Sequence, residues 1–254
     1  MLRVAACVVV ALAVVSCAFA QQMGGPSGPA AGEWRIGVES NWRCNMDATL
    51  SGTAPGMVRF PVELKQWTQQ GSIEYGITDR LSIRGKAGMT RLEFPQFPWA
   101  YIVSPGPDLL PAHFNYGFSW SGELQYRICA PEEHGTALAL RGRYSQARPD
   151  DFDNNAVLQY RDLEIEEWNV ALLAGVPRGR VRPYAGVAYS DWEADLTSIY
   201  LGLVPDISPG KLEKDKHVGA IVGLDWDFCE SSFLNVEAHV FDESGITTGV
   251  TFRW

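Results

Sequence analysis

The residues best suited to acid–base chemistry are few. The 254-residue chain has four histidines, His113, His134, His217 and His239. His217 and His239 fall at the same end of two neighbouring alternating segments, and parity turns both toward the same face. Asp242 and Glu243 follow closely, and the acidic stretch Asp191–Asp195 is expected to approach. A general acid or base must sit within hydrogen-bond reach of its proton. A histidine–carboxylate pair at this rim is therefore the one catalytic constellation on offer. No nucleophile accompanies it, and no G-x-S-x-G, H-E-x-x-H or phosphate-loop pattern occurs. The favoured reading is a polar network with no catalytic residue. A second candidate, the oxygen-rich run Pro149-Asp150-Asp151-Phe152-Asp153-Asn154-Asn155, has the hard donors calcium prefers. Its spacing completes no site, so neither metal nor cofactor is expected.

Many more charges lie on alternate residues of apolar segments. The acids are Glu39, Glu74, Glu123, Glu167, Asp225, Asp227 and Glu237. The bases are Arg35, Arg43, Arg84, Lys86, Arg127, Arg141, Arg143, Arg182 and Arg253. This near balance, with frequent Gly and Ser between, suits a narrow interior where buried charges must pair. The expected network comprises Arg35, Glu39, Glu74, Arg84, Lys86, Glu123, Arg127, Arg141, Arg143, Glu167, Arg182, Asp225, Asp227, Glu237, His239 and Arg253. Glycines on the same faces are read as room for the long arginines.

The elements that position these charges are strands. From Tyr116 to Ile128, Tyr116, Phe118, Trp120, Leu124, Tyr126 and Ile128 alternate with Gly117, Ser119, Ser121, Glu123, Gln125 and Arg127. A helix, with its period of 3.6, cannot separate these two sets. The same alternation recurs around Trp34, Ile73, Leu81, Leu138, Trp168, Val181, Val218, Leu234 and Ile246, which gives ten strands. Most match the roughly 9–11 residues that a tilted strand needs to cross a bilayer. Trp and Tyr cluster near the segment ends, where an amphipathic ring meets water. Connections alternate short and long, the long ones being 44–66, 95–114, 145–162 and 190–215. All long loops then share one end.

Composition agrees. Hydrophobic residues make up 46% and charged residues 20%, with 29 aromatics, which excludes a disordered chain. The net charge of -9 opposes a nucleic-acid partner. The acidic surplus is expected in loops, turns and strand ends. Residues 1–20 combine Arg3, an apolar run and Ala18-Phe19-Ala20, the order of a secretory signal peptide. Val14-Val15-Ser16-Cys17 also fits a lipoprotein box, so processing at Cys17 is the alternative. Residues 21–32 form a flexible Gly/Pro-rich segment and 33–254 the barrel. Cys44, Cys129 and Cys229 allow one bridge at most, and none is expected.

Two stretches carry a resemblance. Tyr75-Gly76-Ile77-Thr78-Asp79-Arg80-Leu81-Ser82-Ile83 looks like a strand–turn–strand at a periplasmic rim. Gly249-Val250-Thr251-Phe252-Arg253-Trp254 resembles a C-terminal assembly signal, with Val250, Phe252 and Trp254 as its alternate apolar residues. Together they resemble bacterial outer-membrane β-barrels of the small OmpA-like or opacity type. The resemblance implies an antiparallel up-and-down transmembrane barrel in the outer membrane, of about ten strands where the commonest small barrels have eight. It also implies contact with outer-membrane lipid and lipopolysaccharide, and insertion by the barrel-assembly machinery. The expected role is non-enzymatic, structural or in surface recognition through long extracellular loops. The alternatives are a narrow porin-like channel and a rim-sited lipid A-modifying enzyme or protease.

Overall fold

A computed structural model describes residues 25–52, 60–97, 110–129, 135–150, 158–201, 204–207 and 210–254. The expected signal peptide, Cys17 and His134 lie outside these residues. So does most of the 149–155 run.

The described strands are β1 (Trp34–Gly52), β2 (Phe60–Gly76), β3 (Leu81–Phe97), β4 (Leu110–His113), β5 (Asn115–Cys129), β6 (Ala137–Asp150), β7 (Leu158–Gly175), β8 (Val181–Leu201), β9 (Val204–Ile207), β10 (Gly210–Lys214), β11 (Val218–Cys229), β12 (Ser232–Val240) and β13 (Ser244–Arg253). Ten of them close one antiparallel ring in the order β1-β2-β3-β5-β6-β7-β8-β11-β12-β13, and β13 pairs back onto β1 from Arg35↔Arg253 to Cys44↔Ser244. The other three are short additions: β4 on β3, β9 on the end of β8, and β10 between β8 and β1. Closure leaves no edge strand, which is what a sheet in lipid requires.

The exterior shows why this ring belongs in a bilayer. Ile36, Val38, Ile73, Ile83, Leu124, Leu140, Val170, Leu172, Val187, Val222 and Ile246 all point outward and are exposed. Aromatic pairs bound them. Trp34 packs on Tyr75 at the end where β1 begins and β13 stops. At the other end Trp42 stacks on Trp67 and Trp168 on Tyr189, and Trp120 packs at a tilt against Tyr144. Trp34 and Trp42 lie eight residues apart, about 20 Å of height for a strand tilted by ~40°.

The strands run well past the outer belt. β8 has 21 residues and β1 has 19, so the connections read as long loops are in large part strand. The reason is an inversion of polarity. Through Arg43 the odd residues of β1 face inward. At Asn45 (φ 55) a bulge shifts the register between Arg43 and Met46. Beyond it Met46, Ala48 and Leu50 face inward, while Asp47, Thr49 and Ser51 face out. Apolar-in and polar-out is the pattern of a soluble sheet, so alternation over 46–51 was not recognised as more of the same strand. Val62 and Leu64 on β2, Leu92 and Phe94 on β3, Leu163 and Ile165 on β7, and Trp192 and Ala194 on β8 complete an apolar cluster above the belt. The prolines follow this division. Pro61, Pro95 and Pro149 sit in the upper extensions, and Pro183 near the start of β8.

Candidate functional site

The chemistry-bearing residues line the lumen in tiers. At the inner mouth, Arg35 bonds Glu33 at 2.8 Å and reaches Glu74 at 3.9 Å. Arg84 bonds Glu74 at 2.7 Å. Asp227 receives both Arg182 (3.0 Å) and Arg253. The guanidiniums of Arg35, Arg182 and Arg253 all lie within 5.7 Å of the Phe233 ring centre, the attractive face for a cation. The middle tier has two clusters. Lys86 bridges Glu39 (3.0 Å) and Glu123 (3.6 Å), and Arg141 approaches Glu123 at 3.4 Å. Across the lumen, His239 meets Glu237 at 2.7 Å, Tyr184 donates to the same carboxylate at 2.7 Å, and Asn235 donates to Tyr184 and Asp225. In the outer tier Glu167 accepts from Arg43 at 2.7 Å and Arg143 at 2.6 Å. Arg43 also faces Glu243 at 3.3 Å. Lys214 bonds Asp242 at 3.0 Å and the Ser190 hydroxyl, which itself donates to Asp242 at 2.8 Å.

Of the sixteen residues expected in this network, twelve are buried. Arg127, Arg182, Asp227 and Arg253 lie toward the inner mouth and keep some exposure. Sequence reasoning missed Lys214 and Ser190, whereas Asn235 falls on the inward face of its strand by parity. Lys214 follows Leu212 at a spacing of two, the one signal that it too faces inward. The glycines make room for several kinds of side chain: a Cβ at Gly245 would lie 3.7 Å from the Arg43 side chain. A Cβ at Gly223 would lie 2.2 Å from the Tyr184 ring, and one at Gly219 would lie 2.0 Å from Asp242 Oδ1.

One expectation for the rim fails. His217 does not face the lumen. It precedes β11, stacks on the outward ring of Tyr189 with centroids 5.6 Å apart, and meets Asp191 at 3.4 Å on the outer wall. Parity was extended one residue beyond the strand, where the chain turns out. Asp191, Glu193 and Asp195 likewise point outward, and Trp192 and Ala194 point in. His239 and His217 are thus on opposite sides of the wall. His239 keeps its carboxylate partner, but the pair is sealed in the lumen. Cys44, Cys129 and Cys229 are free thiols. In the C-terminal strand, Val250 lies between Val38 and Leu234 in register, Phe252 pairs with Ile36, and Trp254 is highly exposed.

Residues 25–32 cross the inner mouth. Arg35 donates to the Ser27 carbonyl at 3.0 Å and Arg127 to that of Gly28 at 2.6 Å. The amide of Gly25 reaches Asp225, that of Ala31 reaches Asp79 at 3.1 Å, and that of Gly32 reaches the Gly76 carbonyl at 2.8 Å. Glu33 anchors the turn by accepting from the Ala30 amide at 2.9 Å. Partial burial raises its pKa, but hydrogen bonds from Arg35 and Ala30 outweigh this and hold it below the ordinary 4.5. A depressed carboxylate contributes stability above its unfolded pKa and loses it as pH falls through the folded value. The protection factors of the amides at Ala30–Gly32, taken relative to the intrinsic exchange rate at each pH, should therefore fall below about pH 4.5. Glu33→Gln should show weaker protection of these amides at neutral pH, with little further change on acidification. Equal pH dependence in both proteins would refute the assignment.

Chain topology, the lipid-type exterior and the polar interior define an integral β-barrel of the bacterial outer membrane. A solved outer-membrane protein shares the fold. The outer membrane protease OmpT from Escherichia coli aligns over 87% of this chain and 97% of its own, with 11% identity and a TM-score of 0.52. OprG from Pseudomonas aeruginosa covers 90% and 98%, with 12% identity and a TM-score of 0.46. Ail of Yersinia pestis covers 88% and 99%, with 10% identity and a TM-score of 0.35. No family model and no curated protein matches the sequence. Within its class, the protein is a ten-stranded barrel whose wall rises past the outer belt around an apolar cluster.

Proposed function

We propose that the protein is a closed, non-enzymatic barrel that serves the envelope structurally and presents a rigid extracellular rim for recognition. The observation that carries this reading is obstruction of the lumen at three heights. Residues 25–32 cross the inner mouth, paired charges fill the middle, and the cluster of Met46, Leu64, Leu92, Phe94, Phe114, Leu163, Trp192 and Leu212 fills the top. Between the last two, the space among Asn41, Gln66, Thr68, Ser119 and Arg143 measures ≈ 20 Å³, room for about one water. A pore needs a continuous polar path, and a cluster of buried Phe, Leu and Trp is the opposite of one. The extended strands carry the barrel wall well above the outer aromatic belt. Their outward faces bear Glu164 paired with Arg148 and Glu193 paired with Lys211, together with Asp195 and Glu213, so a surface partner would meet a mixed, ion-paired surface.

Planar-bilayer recording tests the closure. The purified barrel should insert without steady conductance. A sustained, salt-dependent current through the unmodified protein would overturn the reading in favour of a narrow channel.

A further inference from the structure

β11, β12 and β13 have 12, 9 and 10 residues and stop at the outer belt, while β8 and β1 on either side continue upward. Among the described residues, β10 is the strand that bridges the gap above the three short strands. Its residues Gly210–Glu213 pair with Glu193–Leu196 of β8, and Gly210–Lys214 pair with Ala48–Gly52 of β1. We propose that β10 is a releasable strap, latched by Lys214 to the β12–β13 turn, and that its release opens a side window into the apolar cluster.

The latch has three parts. Lys214 is almost fully buried and points down at Asp242 (3.0 Å) and Glu243 (3.8 Å). Ser190 of β8 contacts the same ammonium, and Arg43 of β1 holds Glu243 from the other side at 3.3 Å. These are the charged and polar groups that face it. The turn is shaped to deliver both carboxylates. Phe241 adopts φ 83, a conformation a bulky residue rarely takes, and its ring stands in the open at 78% exposure. That kink throws Phe241 outward and folds Asp242 and Glu243 inward. Gly219 completes the seat, since any Cβ there would strike Asp242. A strained residue, a vacated side chain and a buried ion cluster thus converge on the end of one five-residue strand. Longer β11–β13 strands would have built a permanent wall with none of these.

What the strap covers follows from its own side chain. Leu212 is fully buried against the cluster that includes Met46, Ala48, Trp192 and Ala194. Neighbouring strands lie about 4.8 Å apart, so lifting β10 leaves β8 and β1 separated by about 9.6 Å. The window would be lined by apolar side chains and would sit just above the lipid interface. The inference does not depend on whether the rim recognises a partner.

Hydrogen exchange on the folded barrel in detergent, at one neutral pH, tests it. The paired substitution Asp242→Asn with Glu243→Gln removes the charges that hold Lys214, and Gly219→Val expels Asp242 by volume alone. In each, the amides of β10 should exchange at least tenfold faster while those of β1 from Ile36 to Arg43 stay protected. A single thiol at Ala194→Cys, with Cys44, Cys129 and Cys229 changed to serine, should react with maleimide faster by a similar factor. Unchanged β10 protection in variants that still migrate as folded barrels would overturn the proposal. Uniform loss of protection around the ring would overturn it too, because the strap would then open only with the whole fold.

Discussion

Glu167→Leu should destabilise the barrel by about 3–5 kcal/mol, the usual cost of stripping one partner from a buried ion pair. Glu167 sits between Arg43 and Arg143, both about 2% exposed at their side chains. Its removal leaves two guanidiniums in the lumen, with only Glu243 close to the first of them. Glu167→Gln should cost less, because the amide oxygen still accepts hydrogen bonds. The contrast lies on the outer wall. Arg148 pairs with Glu164 at a comparable 2.9 Å, but the two side chains are 61% and 34% exposed. Arg148→Gln should therefore change stability by no more than about 1 kcal/mol. Urea titration followed by tryptophan fluorescence, with cold gel migration as a second readout, measures both. If the lumen and surface variants lost equal stability, the claim that the buried tiers hold the barrel would fail.

The second large effect concerns the bulge. Deleting Asn45 alone would leave Arg43, Cys44 and Met46 in regular alternation, whereas deleting Cys44 and Asn45 together removes the bulge and puts Met46 directly after Arg43. Strict alternation then carries the phase of Arg35–Arg43 upward, and a one-residue shift sends every later side chain to the opposite face. Met46, Ala48 and Leu50 would turn to water, and Asp47 and Thr49 would turn toward Leu64, Leu92 and Phe94. Burial of Met46 and Leu50 alone contributes roughly 1.5–3 kcal/mol each, so about 3–6 kcal/mol is at stake. The loss should be local. The membrane half keeps its register with β13, and the double-deletion variant should still migrate as a folded barrel in the cold. Trypsin should nevertheless cut the extensions at Lys65 or Arg91, sites the intact protein protects. Resistance equal to that of the parent would show that the bulge does not set the phase.

The membrane half of the fold was legible because every strand there obeys a single rule, apolar out and polar in, between aromatic markers. Tyr116–Ile128 is the plainest instance, and Arg84, Lys86 and Glu123 followed from it directly. The upper half obeys the reverse rule. With Met46, Ala48 and Leu50 alternating against Asp47, Thr49 and Ser51, nothing local says that the same strand continues after a phase change. Reading only one polarity turned these stretches into loops. Lys214 was lost for that reason, since it lies in a segment read as part of a loop. His217 failed differently. Its parity is correct for β11, yet it lies one residue outside the strand, and ring stacking on Tyr189 decides where it points. Salt-bridge partners were legible only as a balance of charge. That Glu167 belongs to Arg43 and Arg143, and Lys86 to Glu39 and Glu123, depends on register around a closed ring.

The segment 25–32 has a bearing on how the ring can be made. Its carbonyls are gripped by Arg35 and Arg127, on β1 and β5, and Gly25 reaches Asp225 on β11. Those three strands are spread around the circumference, so the segment acts as a spoke and not as a tail. A spoke is far easier to lay across an open sheet than to thread into a finished cylinder. The order of events that this favours has β1 and β13 meeting last, over residues already in place. Bulky cargo joined just ahead of Gly25 would then obstruct the final seam, whereas the same cargo on an extracellular turn would leave assembly undisturbed.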